Sequence, residues 1–429
     1  MDAASVLPPL SLYVHFPWCV RKCPYCDFNS HALRAELPEA RYVEALLADL
    51  AAEQPYARDR PVQSIFLGGG TPSLFSPAAM ARLLEGCART LRLSDSLEVT
   101  LEANPGTLER GRFADYRAAG ITRVSLGAQS FSDAQLGRLG RIHAADDTRR
   151  AAAELHAAGL GNFNLDLMYG LPGQSEAEAC ADVEAAVSLS PAHISHYQLT
   201  LEPGTLFAAH PPEGLPDSDL GADLQRACQQ RLAEQGFAQY EVSAYARAGA
   251  RCRHNLNYWE FGDYLGIGAG AHGKRTLAPA EAAGGADAVS TAAGLRIERV
   301  AKWREPRRYL AAIEGAQAGG SAQAECRSVV TEELPFEYLM NALRLREGFA
   351  PAQFEARTGL PVRVIDARWQ RLQRQGLLEV VQGRWRASAR GFDLLNGLLA
   401  EFLPMPAHTQ AGSPMGVAVG SGSMRQAPP

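Results

Sequence analysis

The sequence predicts an α/β fold: an incomplete TIM-type barrel of six strand–helix units, (β/α)6, followed by a small C-terminal helical module of winged-helix type. Three observations lead there. Between residues 11 and 199, short strand-like segments alternate about six times with segments of helical period. Such alternation requires parallel strands joined by helical crossovers. The chemically unusual residues fall just after the strands, at the sheet edge where α/β barrels carry their sites. Beyond about residue 203 the alternation stops.

Residues 11–16 (SLYVHF) read as the first strand, followed by a loop with three cysteines. Residues 39–53 read as a helix, because Tyr42, Val43, Leu46, Leu47 and Leu50 recur at helical spacing. The strand 62–67 ends in Gly68-Gly69-Gly70-Thr71-Pro72, and a helix around 77–92 follows. The strand 97–101 ends in Glu102-Ala103-Asn104-Pro105, and a helix near 108–119 follows. The strand 123–126 ends in Gly127-Ala128-Gln129-Ser130, and helical segments cover 132–158. The strand 162–167 runs into Met168-Tyr169-Gly170-Leu171-Pro172-Gly173, and the helix 175–189 precedes the strand 193–199.

The domains expected are the barrel at 1–202, a connecting region at 203–327, the C-terminal module at 328–403 and a disordered tail at 404–429. The connecting region shows a helix near 218–235, a strand near 238–244 and a glycine-rich stretch at 266–273. Its Ala/Gly-rich residues 277–295 suit a mobile loop. The module reads as three helices and two short strands, 377–381 and 383–387. The tail is rich in Gly, Ser, Pro and Ala.

The chain has 429 residues, 42 Lys+Arg, 47 Asp+Glu and a formal net charge of -5. This balance argues against a general binder of polyanions. A hydrophobic share of 46% excludes wholesale disorder. No apolar run approaches the roughly 20 residues that span a bilayer. Residues 1–9 carry no basic region followed by a long apolar one, so no export signal is read and a cytoplasmic protein with reduced thiols is expected. Of the eight cysteines, Cys87, Cys180, Cys228, Cys252 and Cys326 are expected as small buried apolar residues.

Cys19, Cys23 and Cys26 form C-x3-C-x2-C. A structural zinc site wants four ligands, and neither His31 nor any other residue supplies a fourth at a usual spacing. Three thiolates suit a [4Fe-4S] cluster with one open iron, where a substrate or cofactor coordinates. The motif, with Tyr25 before its last cysteine, resembles the signature of the radical S-adenosylmethionine (SAM) superfamily. The resemblance implies that Cys19, Cys23 and Cys26 hold the cluster and that the open iron chelates SAM. One electron then cleaves the sulfonium to methionine and a 5′-deoxyadenosyl radical. The strand-end residues fit the same cofactor. Gly68, Gly69 and Gly70 beside Thr71 permit close backbone approach. Glu102 can accept from ribose hydroxyls. Gln129, Arg141 and Asp166 suit further polar parts, the arginine pairing with a carboxylate. Taken singly, each has a plainer reading: a turn, a solvated helix charge, a cap.

The strings LYVHFPWC, GGGTP, EANP, GAQS and DLMYGLPGQ are similar to the oxygen-independent coproporphyrinogen III oxidase group, over about residues 10–400. That resemblance implies SAM contacts at Tyr13, Gly69, Gly70, Thr71, Glu102, Gln129, Arg141 and Asp166. Two departures matter. The oxidases continue to a fourth cysteine where this chain has Phe28, and they carry a longer segment before the motif, where only 18 residues precede Cys19. Both departures are shared with a haem-chaperone branch, which also carries His-Asn-x-x-Tyr-Trp, here His254-Asn255-Leu256-Asn257-Tyr258-Trp259. The resemblance thus implies a protein that binds haem, a [4Fe-4S] cluster and SAM, and passes haem to an acceptor haem protein of respiratory type. A one-electron donor such as a flavodoxin is implied, no nucleic acid, and at most a peripheral meeting with a membrane. The alternative is a true coproporphyrinogen III oxidase.

The residues themselves allow this chemistry. Imidazole is a common axial ligand of haem iron, so His254 suits that place. Tyr258 and Trp259 suit a porphyrin face. Cys252, two residues away, suits a thiolate or thioether link. The plainer readings are a hydrogen-bonded core histidine and a buried thiol. His15, His193, His196 and His272 are not expected as ligands. Arg363, Arg368, Arg371, Arg374, Arg384, Arg386 and Arg390 on a winged helix suggest a nucleic-acid surface, but Asp366 and Glu379 interrupt the run.

Overall fold

The structure, a computed structural model, describes residues 7–106, 111–278, 291, 294–315 and 321–404. Residues 405–429, expected as a disordered tail, and most of the expected loop at 277–295 lie outside them. The chain forms two compact units. The first is Met1–Tyr258, Gly262–Thr276 and Glu298–Arg327; the second is Trp259–Phe261, Leu277–Ile297 and Ser328–Pro429.

In the first unit six parallel strands follow one another in chain order, as the alternation predicts. They are β1 (Leu10–Phe16), β2 (Val62–Gly69), β3 (Leu93–Ala103), β4 (Arg123–Gln129), β5 (Phe163–Tyr169) and β6 (His193–Gln198). The crossovers are α1 (Glu39–Glu53), α2 (Pro77–Thr90), α3 (Phe113–Ala118), α4 (Asp133–Arg138), α5 (Ala145–Ala157) and α6 (Glu176–Ser188). Their starts follow local chemistry. Ser76 caps α2 with Pro77 in its first turn, and Ser175 and Glu178 form a capping box on α6.

The sheet continues past both ends of this set. Beyond β6 lies β8 (Ala244–Ala246), antiparallel to β6, and then β7 (Ala238–Gln239), antiparallel to β8. On the other side, β1 pairs in parallel with β9 (Asp263–Ile267), and β10 (His272–Leu277), β11 (Arg296–Lys302) and β12 (Gln323–Ser328) follow. Among the described residues the result is an open sheet of twelve strands. The strand expected at 238–244 is split, because Tyr240 N–H bonds back to Ala244 O at 3.1 Å and turns the chain.

The strands alternate in a way that makes a site. Leu10, Leu12, Val14 and Phe16 of β1 join the core with Tyr42, Leu46 and Leu50 of α1. Ile65, Leu67, Val99, Leu101, Leu165, Leu167 and Ile194 join the same core, which also takes Met80, Leu83, Leu155 and Val183 from the helices. Burying each such side chain contributes about 1.5–3 kcal/mol. The intervening residues are Ser11, Tyr13, His15, Ser64, Glu98, Thr100, Glu102, Arg123, Ser125, Asn164, Asp166, His193, Ser195 and Tyr197. By the strand period of two they point the other way, into the barrel. A barrel filled for stability alone packs branched apolar residues there; this one carries hydrogen-bonding and ionisable groups.

A buried ionic cluster fastens the late strands to α1. Lys302 Nζ lies 2.6 Å from Asp49 and 2.7 Å from Glu53, Arg275 lies 2.5 Å from Glu53, and Tyr309 OH donates to Asp49 at 2.9 Å. In the second unit, helices Leu334–Ala342, Pro351–Thr358 and Arg363–Arg374 precede a hairpin of Leu378–Val381 and Arg384–Ala387. This is the winged-helix order expected, with the rings of Trp369 and Trp385 4.5 Å apart and tilted at 31°. Arg386 pairs with Glu379 at 2.8 Å, and Arg371 pairs with Glu401.

Candidate functional site

The three cysteines lie on the loop after β1. Its base is closed by a two-residue parallel pairing, Trp18 with His31 and Cys19 with Ala32. Cys19, Cys23 and Cys26 are free, half-buried thiols. Burial pushes the Cys19 thiol up to about 11 and raises that of Cys26. Such thiols stay protonated at neutral pH unless a metal displaces the proton. Among the described residues, no three His, Cys, Asp or Glu side chains close on a single ion. Three soft donors on one loop, with no fourth beside them, suit an iron–sulfur cluster with one open iron. Phe28, where the oxidases have a fourth cysteine, is 40% exposed.

The glycine turn is pinned under this loop. Gly70 N–H donates to Phe16 O at 2.7 Å and Thr71 N–H to Trp18 O at 2.8 Å. Gly69 has φ +112°, and a Cβ there would stand 2.5 Å from the His15 ring. A Cβ on Gly70 would stand 2.6 Å from Trp18 O. Only glycine fits either place. The Gly69 N–H is held by Glu102 Oε2 at 2.9 Å.

Across the mouth, Arg141 donates to Asn104 Oδ1 at 2.5 Å, to Gly127 O at 2.8 Å and to Cys23 Sγ at 3.6 Å. Its buried Nε has no partner among the described residues. Asn104 in turn donates to Thr71 Oγ1 at 3.1 Å. Gln129 sits at φ +67°, a left-handed conformation uncommon outside glycine, and accepts from Tyr197 OH at 2.7 Å. Burial, then the nearby Asp166, pushes the Glu102 carboxyl up to about 8. Burial raises Asp166 as well, against hydrogen bonds from Asn164, Ser195 and Ser125. Tyr25 packs by Phe207, ring centroids 6.3 Å apart. The structure thus gathers the cysteines, Tyr25, Gly69, Gly70, Thr71, Glu102, Gln129, Arg141 and Asp166 around one mouth. The mouth has the character SAM requires: a cradle a Cβ would fill, carboxylates for hydroxyls and an arginine with a donor to spare. Sequence reasoning did not single out Asn104 or Tyr197. The available signals were the period-two place of Tyr197 on β6 and the position of Asn104 directly after β3.

The His254 motif lies elsewhere, in helix Arg253–Trp259 at the opposite end of the strands. His254 is 4% exposed. Its Nδ1 meets Ser64 Oγ at 3.1 Å, and its ring stacks on Phe66 at 5.0 Å and tilts toward Tyr13 at 6.3 Å. Tyr13 OH reaches up to His15 Nδ1 at 2.9 Å. Burial, then Arg123, lowers the His254 imidazole to about 3, so it is neutral at ordinary pH. Nε2 has no hydrogen-bond partner among the described residues. Tyr258 is buried in the first unit with its ring 5.6 Å from Tyr264, and Trp259 lies in the second beneath the Arg344 guanidinium.

Cys252 is fully buried, its thiol pushed up to about 12 by burial and its one S–H within reach of Asn255 Oδ1 at 3.4 Å and Glu98 Oε1 at 3.6 Å. Cys87 and Cys228 are buried as expected, but Cys180 is half-buried and Cys326 is exposed. Cys326 lies on β12, which exposes most of its residues.

Thiol loop, glycine cradle and polar mouth on a parallel sheet define a radical SAM barrel. The model of the Radical SAM superfamily matches residues 13–186, and that of the HemN C-terminal domain matches residues 331–394. The chain is 48% identical over 397 residues to the heme chaperone HemW of Escherichia coli (strain K12), covering 92% of this chain and 99% of that protein. It is 46% identical over 401 residues to the heme chaperone HemW of Haemophilus influenzae, covering 92% and 98%. Among solved structures, coproporphyrinogen III oxidase (HemN) from Escherichia coli matches with a TM-score of 0.74 at 20% identity, covering 94% of this chain and 92% of that one. The chain belongs to the HemW family of radical SAM proteins.

Proposed function

We propose that this chain is a haem chaperone that binds a [4Fe-4S] cluster, SAM and haem, and hands haem to an acceptor haem protein. One arrangement carries the reading: a SAM-type mouth at one end of the strands, and at the other a neutral histidine with an uncommitted Nε2. The near full-length likeness to heme chaperones supports it. Cys19, Cys23 and Cys26 hold the cluster. Gly69 and Gly70 admit the methionine moiety, Glu102 and Asp166 accept from hydroxyls, and Arg141 offers Nε to a carboxylate. The cluster with SAM on its open iron supplies one-electron cleavage of the sulfonium.

Haem is the cargo, and His254 Nε2 is the ligand atom. The low exposure of His254 means that the segment 253–259 must lift from the barrel floor before a macrocycle reaches it. Cys252 stays a buried thiol in this reading. The acceptor is a respiratory haem protein and the electron donor a flavodoxin-like protein. No helix among the described residues is long and apolar enough to cross a membrane. In this reading the protein works in the cytoplasm and meets a membrane-borne acceptor peripherally.

The test is an anaerobic preparation with a reconstituted cluster, assayed on one sample for haem binding and for coproporphyrinogen decarboxylation. Haem binding with no protoporphyrinogen formed is the expected result. His254→Ala is expected to weaken haem at least tenfold, seen in the Soret band, and unchanged binding removes the proposed site. Robust protoporphyrinogen formation replaces the chaperone reading with an oxidase.

A further inference from the structure

A continuous chain of hydrogen bonds crosses the barrel from the mouth to the floor. Asn164 Nδ2 lies 2.7 Å from Asp166 Oδ1, and Asn164 Oδ1 lies 2.7 Å from His193 Nδ1. His193 Nε2 lies 2.8 Å from Tyr240 OH, and Tyr240 OH lies 3.4 Å from the backbone nitrogen of Cys252.

With Asp166 ionised the chain has one direction. A backbone N–H can only donate, so the Tyr240 oxygen accepts from Cys252. That oxygen has a second lone pair, so the sense of its bond to His193 Nε2 is set from the mouth end, where an ionised Asp166 takes the Asn164 NH2 and leaves Asn164 Oδ1 to accept from His193. His193 must therefore carry its proton on Nδ1 and donate to Asn164 Oδ1. The Asn164 amide must point its NH2 at Asp166, because the flipped amide would set oxygen against carboxylate at 2.7 Å. Side bonds agree: Asn164 Nδ2 also donates to Ser125 Oγ at 2.8 Å, and Ser195 Oγ donates to Asn164 Oδ1 at 3.1 Å. The direction needs a neutral His193, and burial, then Arg123, lowers its pKa well below the ordinary value.

At the floor the chain meets the start of the His254 helix. A helix leaves its first N–H groups without intrahelical partners. Here three consecutive ones are met by barrel side chains. Cys252 N–H goes to Tyr240, and Arg253 and His254 N–H go to Glu98 Oε1 at 2.9 and 3.3 Å.

We propose that Asn164, His193 and Tyr240 are positioning residues that orient the Asp166 carboxylate and tie it to the docking of the His254 helix, so that SAM at the mouth and haem at the floor are energetically coupled. The proposal rests on the haem reading for its floor end only. Donors of SAM on Asp166 keep it ionised, a charged acceptor strengthens its bond from Asn164, and each further bond in the chain is polarised in the same sense. SAM thereby holds the floor closed and opposes haem. Haem opposes SAM by the same factor.

Tyr240→Phe keeps the ring and removes only the link. On the reconstituted full chain with cluster absorbance unchanged, SAM affinity is read without haem from the perturbation of the reduced cluster's EPR signal. The variant is expected to bind SAM about threefold more weakly. Haem is then titrated with and without saturating SAM. SAM is expected to raise the haem Kd of the parent protein roughly fivefold or more, within the usual range of such couplings, and that of the variant less than twofold. His193→Gln, which keeps an acceptor and a donor on one side chain, is expected to retain most of the coupling. Should Tyr240→Phe fail to take a cluster, His193→Leu cuts the chain one bond nearer the mouth and reads the same ratios. Equal SAM affinities in parent and cut variant, or a parent haem Kd that SAM leaves unchanged or lowers, overturns the proposal. A parent protein that takes up no haem removes the function reading instead, and the SAM comparison still decides the relay at its mouth end.

Discussion

Glu102 shows how much a single residue carries. It holds the Gly69 N–H at 2.9 Å, and its carboxyl is pushed up to about 8. Below its ordinary value of 4.5 the group is protonated whether the chain is folded or not. Between about 4.5 and 8 the unfolded chain has released the proton and the folded one keeps it. Stability therefore falls as pH rises through that window and levels off above it. For SAM-free protein, Glu102→Gln is expected to flatten this slope, melting several °C above the parent at pH 8 and within about a degree of it near pH 4.5. The same change is expected to weaken SAM about tenfold, since the amide replaces a charged acceptor. Parallel melting curves for the two proteins would assign the slope to another group. Residues of this kind were legible in the sequence where a motif announced them, as Glu102 does in EANP and Gly69 in GGGTP. Tyr197 was not, because a tyrosine has no chemistry distinctive enough to mark it until its strand sets its direction, and Asn104, though it stands in EANP, shows its role only once Arg141 and Thr71 are brought beside it.

Among the elements, the cysteine loop works as a unit. Its base is closed by the Trp18 and Cys19 pairing, and its far side is reached by Arg141. Cys23→Ala removes one of three thiols and leaves the loop's backbone bonds untouched. Loss of the iron–sulfur absorbance near 400 nm after reconstitution is the expected outcome, and an intact spectrum would contradict the ligand set. The elements most legible in the sequence were the long periodic ones. Residues 39–53 were read with the bounds that α1 has, since five apolar residues share one helical face and the helix packs on the sheet along its length. The late strands β9–β12 left no such signal. They do not alternate regularly with helices, and β10 places Lys274 and Arg275 where apolar residues would announce a strand. Those charges are tolerated because Asp263 and Glu53 meet them at 2.8 and 2.5 Å.

At the scale of the whole molecule, what the local pattern hides is the tie between distant parts. Asp49 and Glu53 lie on α1, and their partners come from residues 275, 302 and 309. Lys302→Met leaves two buried carboxylates facing each other with one cation fewer. A destabilisation of about 3–5 kcal/mol follows, to be read from urea unfolding of the full chain. A loss below about 1 kcal/mol would mean that the carboxylates relax to solvent or take up protons at little cost. The same distance in sequence governs how the molecule is made. β1 lies in the middle of the sheet, with β2 on one side and β9 on the other, and Leu10 pairs with Asp263. At about 5–20 residues per second a ribosome needs roughly 13–50 s to deliver the second neighbour after the first strand has emerged. Throughout that interval the first strand, which carries the chemistry-bearing loop at its end, has one bare edge. A nascent chain of this topology is exposed to mispairing. Iron delivered before residue 267 has left the exit tunnel would meet three thiols on a loop whose supporting strand is still incomplete.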